Sequence, residues 1–253
     1  MLSASACYHY RMSRKDKGIL IAFEGIDGAG KTTQVKSLHA MLVRAGIDPH
    51  WSKEPTDGPW GRMIRDASKS GKRMTLEEEM EAFTKDRDDH VRSRVKPCLD
   101  AGKVYILDRY YYSTIAYQGT NGGDPEQLTR HMTATYPVPD VVIYIDVPAE
   151  IGIHRVQTSR GDVPNAFEKV ETLRNVREIF LDLARTRPNF VTIDGTASIE
   201  CVRADIRGKL IDGIFKERLC AKSYGCDGIH CIDAKTGNCK WSKIREEAAN
   251  LTS

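Results

Sequence analysis

Ile19-Leu-Ile-Ala-Phe-Glu24-Gly25-Ile-Asp27-Gly28-Ala29-Gly30-Lys31-Thr32-Thr33 decides the reading of this chain. An apolar run ends in an acid, a glycine-rich turn follows, and Lys31 opens a segment with Val35, Leu38, Leu42 and Ala45 at helical spacing. Residues 25–32 match GxxxxGK[ST] in the strand–turn–helix context that the pattern requires. Glycines let backbone N–H groups turn inward around phosphate oxygens, and the helix N-terminus adds positive potential. Lys31 then reaches the outer phosphates of a nucleotide, and the Thr32 hydroxyl lies where a magnesium ion is held. A plain strand–turn–helix corner is the bland alternative. The loop alone does not separate a kinase from a GTPase or an ATPase motor.

Working outward, strand-like runs alternate with helical ones: Gly18–Glu24, Val104–Asp108, Val141–Asp146 and Phe190–Asp194, with a weaker run near Ile47–Lys53. That alternation predicts an α/β fold, three layers with a five-stranded parallel sheet. The clear runs end in Glu24, Asp108, Asp146 and Asp194, which puts these carboxylates at the edge where open α/β sheets bind ligands. Helices are expected from Lys31 to Gly46, from about Leu76 to Val95 with Pro97 closing it, and over Pro125–Thr135, Ala149–Ser159, Phe167–Arg187 and Ser198–Glu217.

Bulk properties exclude more than they assign. The chain has 253 residues, 40% hydrophobic and 29% charged, and no apolar run approaches the roughly 20 residues of a membrane span. The net charge of +3 is too small to make nucleic acid the main partner. Residues 1–18 hold +3 and 213–253 hold +2, so 19–212 is −2 and its clustered arginines need a local reason. The first eleven residues lack the apolar stretch of a secretory signal, Met12 offers a second start, and seven cysteines without a signal read as reduced thiols in the cytoplasm.

Two further patterns carry chemistry. Asp108-Arg109-Tyr110 closes a strand and precedes Ser113-Thr114-Ile-Ala-Tyr117-Gln118-Gly119. An Asp–Arg pair there sets a carboxylate near a metal and a planar fork near a transferring phosphate, unless it is only an ion pair capping the sheet. On the helix after Leu76, an apolar stripe of Leu76, Met80, Phe83 and Val91 includes Arg87. An arginine on a buried face needs a partner. The choices are a phosphate with Phe83 stacking on a base, snorkelling to solvent, or pairing with Glu79 or Asp88.

Taken together, FEGIDGAGKTTQ, EPTDGPWGRMIR, AFTKDR, LDRYYYSTIAYQG, PDVVIYIDVPAE and the Asp194–Thr196 DGT resemble the thymidylate kinase family over about residues 18–212. Extensions of 1–17 and 213–253 flank that unit. The resemblance implies transfer of the ATP γ-phosphate to dTMP with Mg²⁺, in a homodimer. It implies that Asp27 grips the dTMP 3′-hydroxyl, Phe83 stacks on thymine, and Arg87 and Arg109 hold the dTMP phosphate. Arg65 supports that phosphate after Glu54-Pro55. Tyr117 lies against the deoxyribose, with Ser113 alongside, and Thr114 and Gln118 meet the thymine edge. Asp108 and Thr32 belong to the metal side, Gly25 to Thr33 to the ATP phosphates, and Arg155 and Thr196 to the adenine. Gly28 replaces the basic residue that some members carry in the loop, so the last catalytic charge is expected from the lid 155–168, at Arg160. Lys53 stands where arginine is common. The rival readings are another P-loop deoxynucleotide or deoxynucleoside kinase, and a nucleotide-regulated binding module.

The C-terminal stretch lies outside the resemblance. Cys220, Cys226, Cys231 and Cys239 are irregularly spaced, with no CxxC. Zinc, a stapled or redox-active tail, and plain reduced thiols are the three readings, the last favoured.

Overall fold

β1 (Ile19–Glu24) is buried along its whole length, which no edge strand would be. In this computed structural model, which describes residues 17–70, 74–160, 166–219 and 239–251, β1 is the middle of a five-stranded sheet. The other strands are β2 (Pro49–Lys53), β3 (Val104–Asp108), β4 (Val141–Asp146) and β5 (Phe190–Asp194). The order is β2-β3-β1-β4-β5 and every pairing is parallel. Near-continuous apolar runs such as ILIAFE and VVIYID follow from burial on both faces.

The order also places the site. The chain leaves β1 for β2 and β3 on one side, then returns to β4 and β5 on the other. The turn after β1 therefore opens at the point where the winding reverses, beside the carboxyl ends of β3 and β4. Helices α1 (Lys31–Arg44), α2 (Pro59–Ser70), α3 (Leu76–His90), α4 (Tyr111–Thr120), α5 (Pro125–Thr135), α6 (Ala149–Arg160) and α7 (Ala166–Thr186) lie between the strands, and α8 (Ile199–Leu210) follows β5. Thr75 and Glu78 cap α3 reciprocally.

Three differences from the sequence reading have physical causes. Pro97 does not end the helix. A widened π-turn over Val91–Val95 resets the hydrogen-bond ladder, so the N–H that proline lacks falls at the restart, Lys96–Asp100. Helices α2 and α4 appear where only motifs were read: in α2 the stripe of Trp60, Met63, Ile64 and Ala67 went unread, and α4 is buried nearly all round, so it shows no one-sided period. Beyond residue 212 the chain keeps packing. Phe215 is fully buried, and α9 (Lys240–Asn250) docks Trp241 and Ile244 into the core. The Trp241 indole donates to the Ile211 carbonyl at 2.8 Å, and Arg44 of α1 pairs with Glu247. Cys239 is buried at the start of this helix; Cys220, Cys226 and Cys231 lie outside the described residues. Among the described residues no group of three or more His, Cys, Asp or Glu is arranged to hold a metal, and no helix is long and apolar enough to cross a membrane.

Candidate active site

The loop after β1 is shaped by its glycines. Gly28 has φ 81°, and a Cβ there would stand 2.1 Å from the Gly152 carbonyl of α6. The basic side chain that some sequences carry at this position thus has no room in this backbone. Gly30, at φ 91°, caps α1 and faces open space, as a backbone approached by phosphate oxygens must. Lys31 is buried and donates to the carbonyls of Gly25 at 2.8 Å and Ile26 at 2.7 Å. Burial, and then the Arg109 charge, push its amine down to about 7. The exposed Thr32 hydroxyl donates to the Asp108 carboxylate at the end of β3. Thr33, next in the same turn, is exposed.

Glu24 organises what faces this loop. It is fully buried and accepts from the Tyr110 N–H at 2.9 Å, the Ser113 N–H at 3.3 Å and the Ser113 hydroxyl at 2.6 Å. It therefore fastens the start of α4 to the end of β1. Burial raises its carboxyl to about 7 against the pull of those donors and of Arg109. The tether forces a sharp corner, and Arg109 takes φ 70°, costly for a residue with a side chain. The corner aims the Arg109 fork back over the loop. Its Nη1 donates to Ser113 Oγ at 2.8 Å, its Nη2 pairs with Asp27 at 2.7 Å, and its guanidinium lies 5.3 Å from the Tyr117 ring centre.

A second wall stands on the other side of α4. Arg87 is 1% exposed, and its real partner is Glu54, not Glu79 or Asp88. Its Nε and Nη2 lie 2.9 and 2.8 Å from one Glu54 oxygen, Nη2 also donates to Thr114 Oγ1 at 2.9 Å, and the rings of Tyr110 and Tyr136 flank it. His90 Nδ1 contacts the other Glu54 oxygen at 2.9 Å. Burial opposes the Glu54 charge, but Arg87 and His90 outweigh it and hold the carboxyl below its usual range. Arg65 straps the turn that follows, donating to the carbonyls of Pro55 at 2.9 Å and Thr56 at 2.5 Å. Phe83 sits half-buried one turn before Arg87. Gln118, one turn after Thr114, donates to Glu79 at 2.9 Å.

The structure thus gathers most of the sequence-read residues into two joined groups. Lys31, Thr32, Asp108, Asp27, Arg109, Ser113 and Tyr117 surround the loop. Glu54, Arg87 and Thr114 form the wall, and Ser113, Thr114, Tyr117 and Gln118 of one helix belong to both sides. Elsewhere on the sheet edge, Arg155 donates to the Gly195 carbonyl at 2.9 Å, and Thr196 is held by Asp194. The Arg160 side chain and residues 161–165 lie outside the described residues. Sequence reasoning missed the jobs of Glu24 and His90. Their signals were an acid ending an otherwise apolar strand and a histidine on the turn after Arg87.

Comparison with known proteins shows the family. The family model described as Thymidylate kinase matches residues 23–206. The chain is 43% identical over 195 residues to the thymidylate kinase of Xylella fastidiosa strain M12, covering 77% of this chain and 88% of that protein. It is 42% identical over 189 residues to the thymidylate kinase of Desulfotalea psychrophila, covering 75% and 92%. It is 43% identical over 225 residues to that of Xanthomonas euvesicatoria pv. vesicatoria, covering 88% and 96%. This chain belongs to the thymidylate kinase family.

Proposed function

We propose that this chain transfers the γ-phosphate of ATP to dTMP, giving dTDP and ADP, with the residue roles below. The observation that carries the reading is Arg87, buried and fixed by Glu54 and Thr114 beside the Arg109 corner. Two prearranged guanidiniums suit an acceptor that already carries a phosphate. A nucleoside acceptor would instead want a carboxylate base at its hydroxyl.

The backbone from Gly25 to Thr33 receives the ATP phosphates, and Lys31 exchanges its loop carbonyls for their oxygens. Arg109 stands between donor and acceptor, and Arg87 holds the acceptor phosphate from the far side. Asp27, paired with Arg109, takes the 3′-hydroxyl, while Phe83 and Tyr117 hold base and sugar. Arg65 acts through the loop it straps. Arg155 and Thr196 lie toward the adenine. Thr32 and Asp108 offer a hard, all-oxygen donor set for Mg²⁺, completed by phosphate oxygens, and the ion would neutralise phosphate charge. Proton transfer contributes little, since the nucleophile is already an anion; positioning and charge neutralisation carry the rate. Arg160 supplies the lid charge.

Residues 18–212 form the catalytic unit, with 1–17 and 213–253 as extensions, the latter fastened through Trp241. A homodimer and a cytoplasmic location complete the reading on family likeness. Comparing ADP release with dTMP, dUMP, dCMP, dGMP and thymidine tests the function. Selective turnover of dTMP supports it, and preference for thymidine or another monophosphate overturns the acceptor assignments.

A further inference from the structure

Gln118 carries a buried polar atom without a partner, on the helix that also holds Ser113, Thr114 and Tyr117. The side chain is 3% exposed, and its Oε1 is buried with no hydrogen-bond partner among the described residues. Its Nε2 donates to Glu79 at 2.9 Å. An amide oxygen left buried and unpaired is destabilising, so its persistence points to a donor that arrives with a ligand. The surroundings say which ligand. Gln118 lies one turn beyond Thr114, which Arg87 holds, and Glu79 lies one turn before Phe83.

We propose that Glu79 is a positioning residue that sets base selectivity by locking the direction of the Gln118 amide. A carboxylate offers the amide acceptor oxygens, so Gln118 turns its NH₂ toward Glu79 and leaves its oxygen for the acceptor base. That oxygen accepts from a ring N–H. Thymine and uracil both present N3–H as a donor, whereas cytosine presents an unprotonated N3, an acceptor, at the same place. Cytosine would meet two lone pairs facing one another. Turning the amide to suit it would bring Oε1 against the Glu79 carboxylate instead. Either orientation leaves a repulsive pair, which is how a site rejects a near-isostere strongly. The inference rests on the dTMP reading above and adds a residue that acts only through Gln118.

The test is kcat/KM for dTMP, dUMP and dCMP with MgATP, on the unmodified chain, Glu79→Gln and Glu79→Ala. A glutamine at 79 accepts or donates, and an alanine admits water, so either frees the amide to turn. Glu79 is partly exposed in the first turn of α3, where Glu77 and Glu78 keep the helix start acidic, so both variants are expected to fold. The expected result is a dCMP-to-dTMP ratio raised roughly tenfold or more in both variants, with the dUMP-to-dTMP ratio and KM for ATP unmoved. An unchanged dCMP ratio overturns the proposal, because a merely structural role lowers all acceptors together; a dUMP ratio that shifts with it overturns it too, because uracil and thymine offer the amide the same N3–H. An unmodified chain that fails to use dTMP would overturn the function itself and this inference with it.

Discussion

Replacing Arg87 with methionine removes one member of a pair whose side chains are 1% and 3% exposed. Methionine fills much of the same space, so the dominant effect is electrostatic. Glu54 keeps His90 but loses both guanidinium contacts, at 2.9 and 2.8 Å. Breaking a buried pair from one side costs about 3–5 kcal/mol, which for a chain of this size lowers the melting midpoint by roughly 6–20 °C. Glu54→Gln should offset most of that loss in the double variant, since an amide has no charge to desolvate and still meets His90. The coupling energy from urea unfolding of both single variants and the double should be about 2–3 kcal/mol. The pH dependence follows from the same balance. With Arg87 present, the Glu54 carboxyl is held below its ordinary value, and its contribution is lost as pH falls. With Arg87 gone, burial wins and the carboxyl rises above that value, so the variant loses stability as pH rises. The Arg87→Met deficit should therefore be larger at pH 8 than at pH 5. Additive losses, or a single-variant cost below about 1 kcal/mol as for an exposed pair, would refute the reasoning.

Three further outcomes are expected. Lys31 has its amine pushed down to about 7 by burial and Arg109, and phosphates of bound ATP will restore the ammonium. MgATP binding at pH 8 should then take up close to one proton, seen by calorimetry in buffers of different ionisation enthalpy; little uptake is expected at pH 6, and none at either pH in Lys31→Met. Arg160→Ala should lower kcat by roughly a hundredfold with little change in dTMP affinity, measured by steady-state kinetics and direct binding; an unchanged kcat removes Arg160 from the chemistry. Trp241→Ala should destabilise the chain by about 3–5 kcal/mol in urea while sparing kcat, because the indole is buried and bonded to the Ile211 carbonyl, which is not a site residue. A cost below about 1 kcal/mol would show that the C-terminal helix is not part of the core.

Much of this was legible in the residues because the signals were local. Four strands and the first helix follow from apolar runs, glycine chemistry and 3.6-residue spacing, and the bounds of β3, β4 and β5 match the sequence reading. Arg87 was legible as an anomaly on an apolar stripe, but its partner was not. Glu54 lies 33 positions away, and only the β2–β3 pairing and the turn after Lys53 bring it across. Glu24 was visible as a carboxylate at the sheet edge, while its three donors come from a helix start 86 to 89 residues later. The C-terminal helix was missed although Trp241, Ile244 and Ala248 recur at i, i+3 and i+7, because the segment was read through its cysteines and that short stripe was passed over. Pro97 misled in the opposite direction, since a π-turn absorbs what a regular helix would not.

The central claim is that the phosphoryl group goes to dTMP. The most direct test follows a label on the γ-phosphate of ATP, with Mg²⁺, in the presence and absence of dTMP. The account predicts that the label appears in dTDP, at a rate set by dTMP, with little released as inorganic phosphate. Label released only as inorganic phosphate, or retained in ATP whether or not dTMP is present, would contradict it.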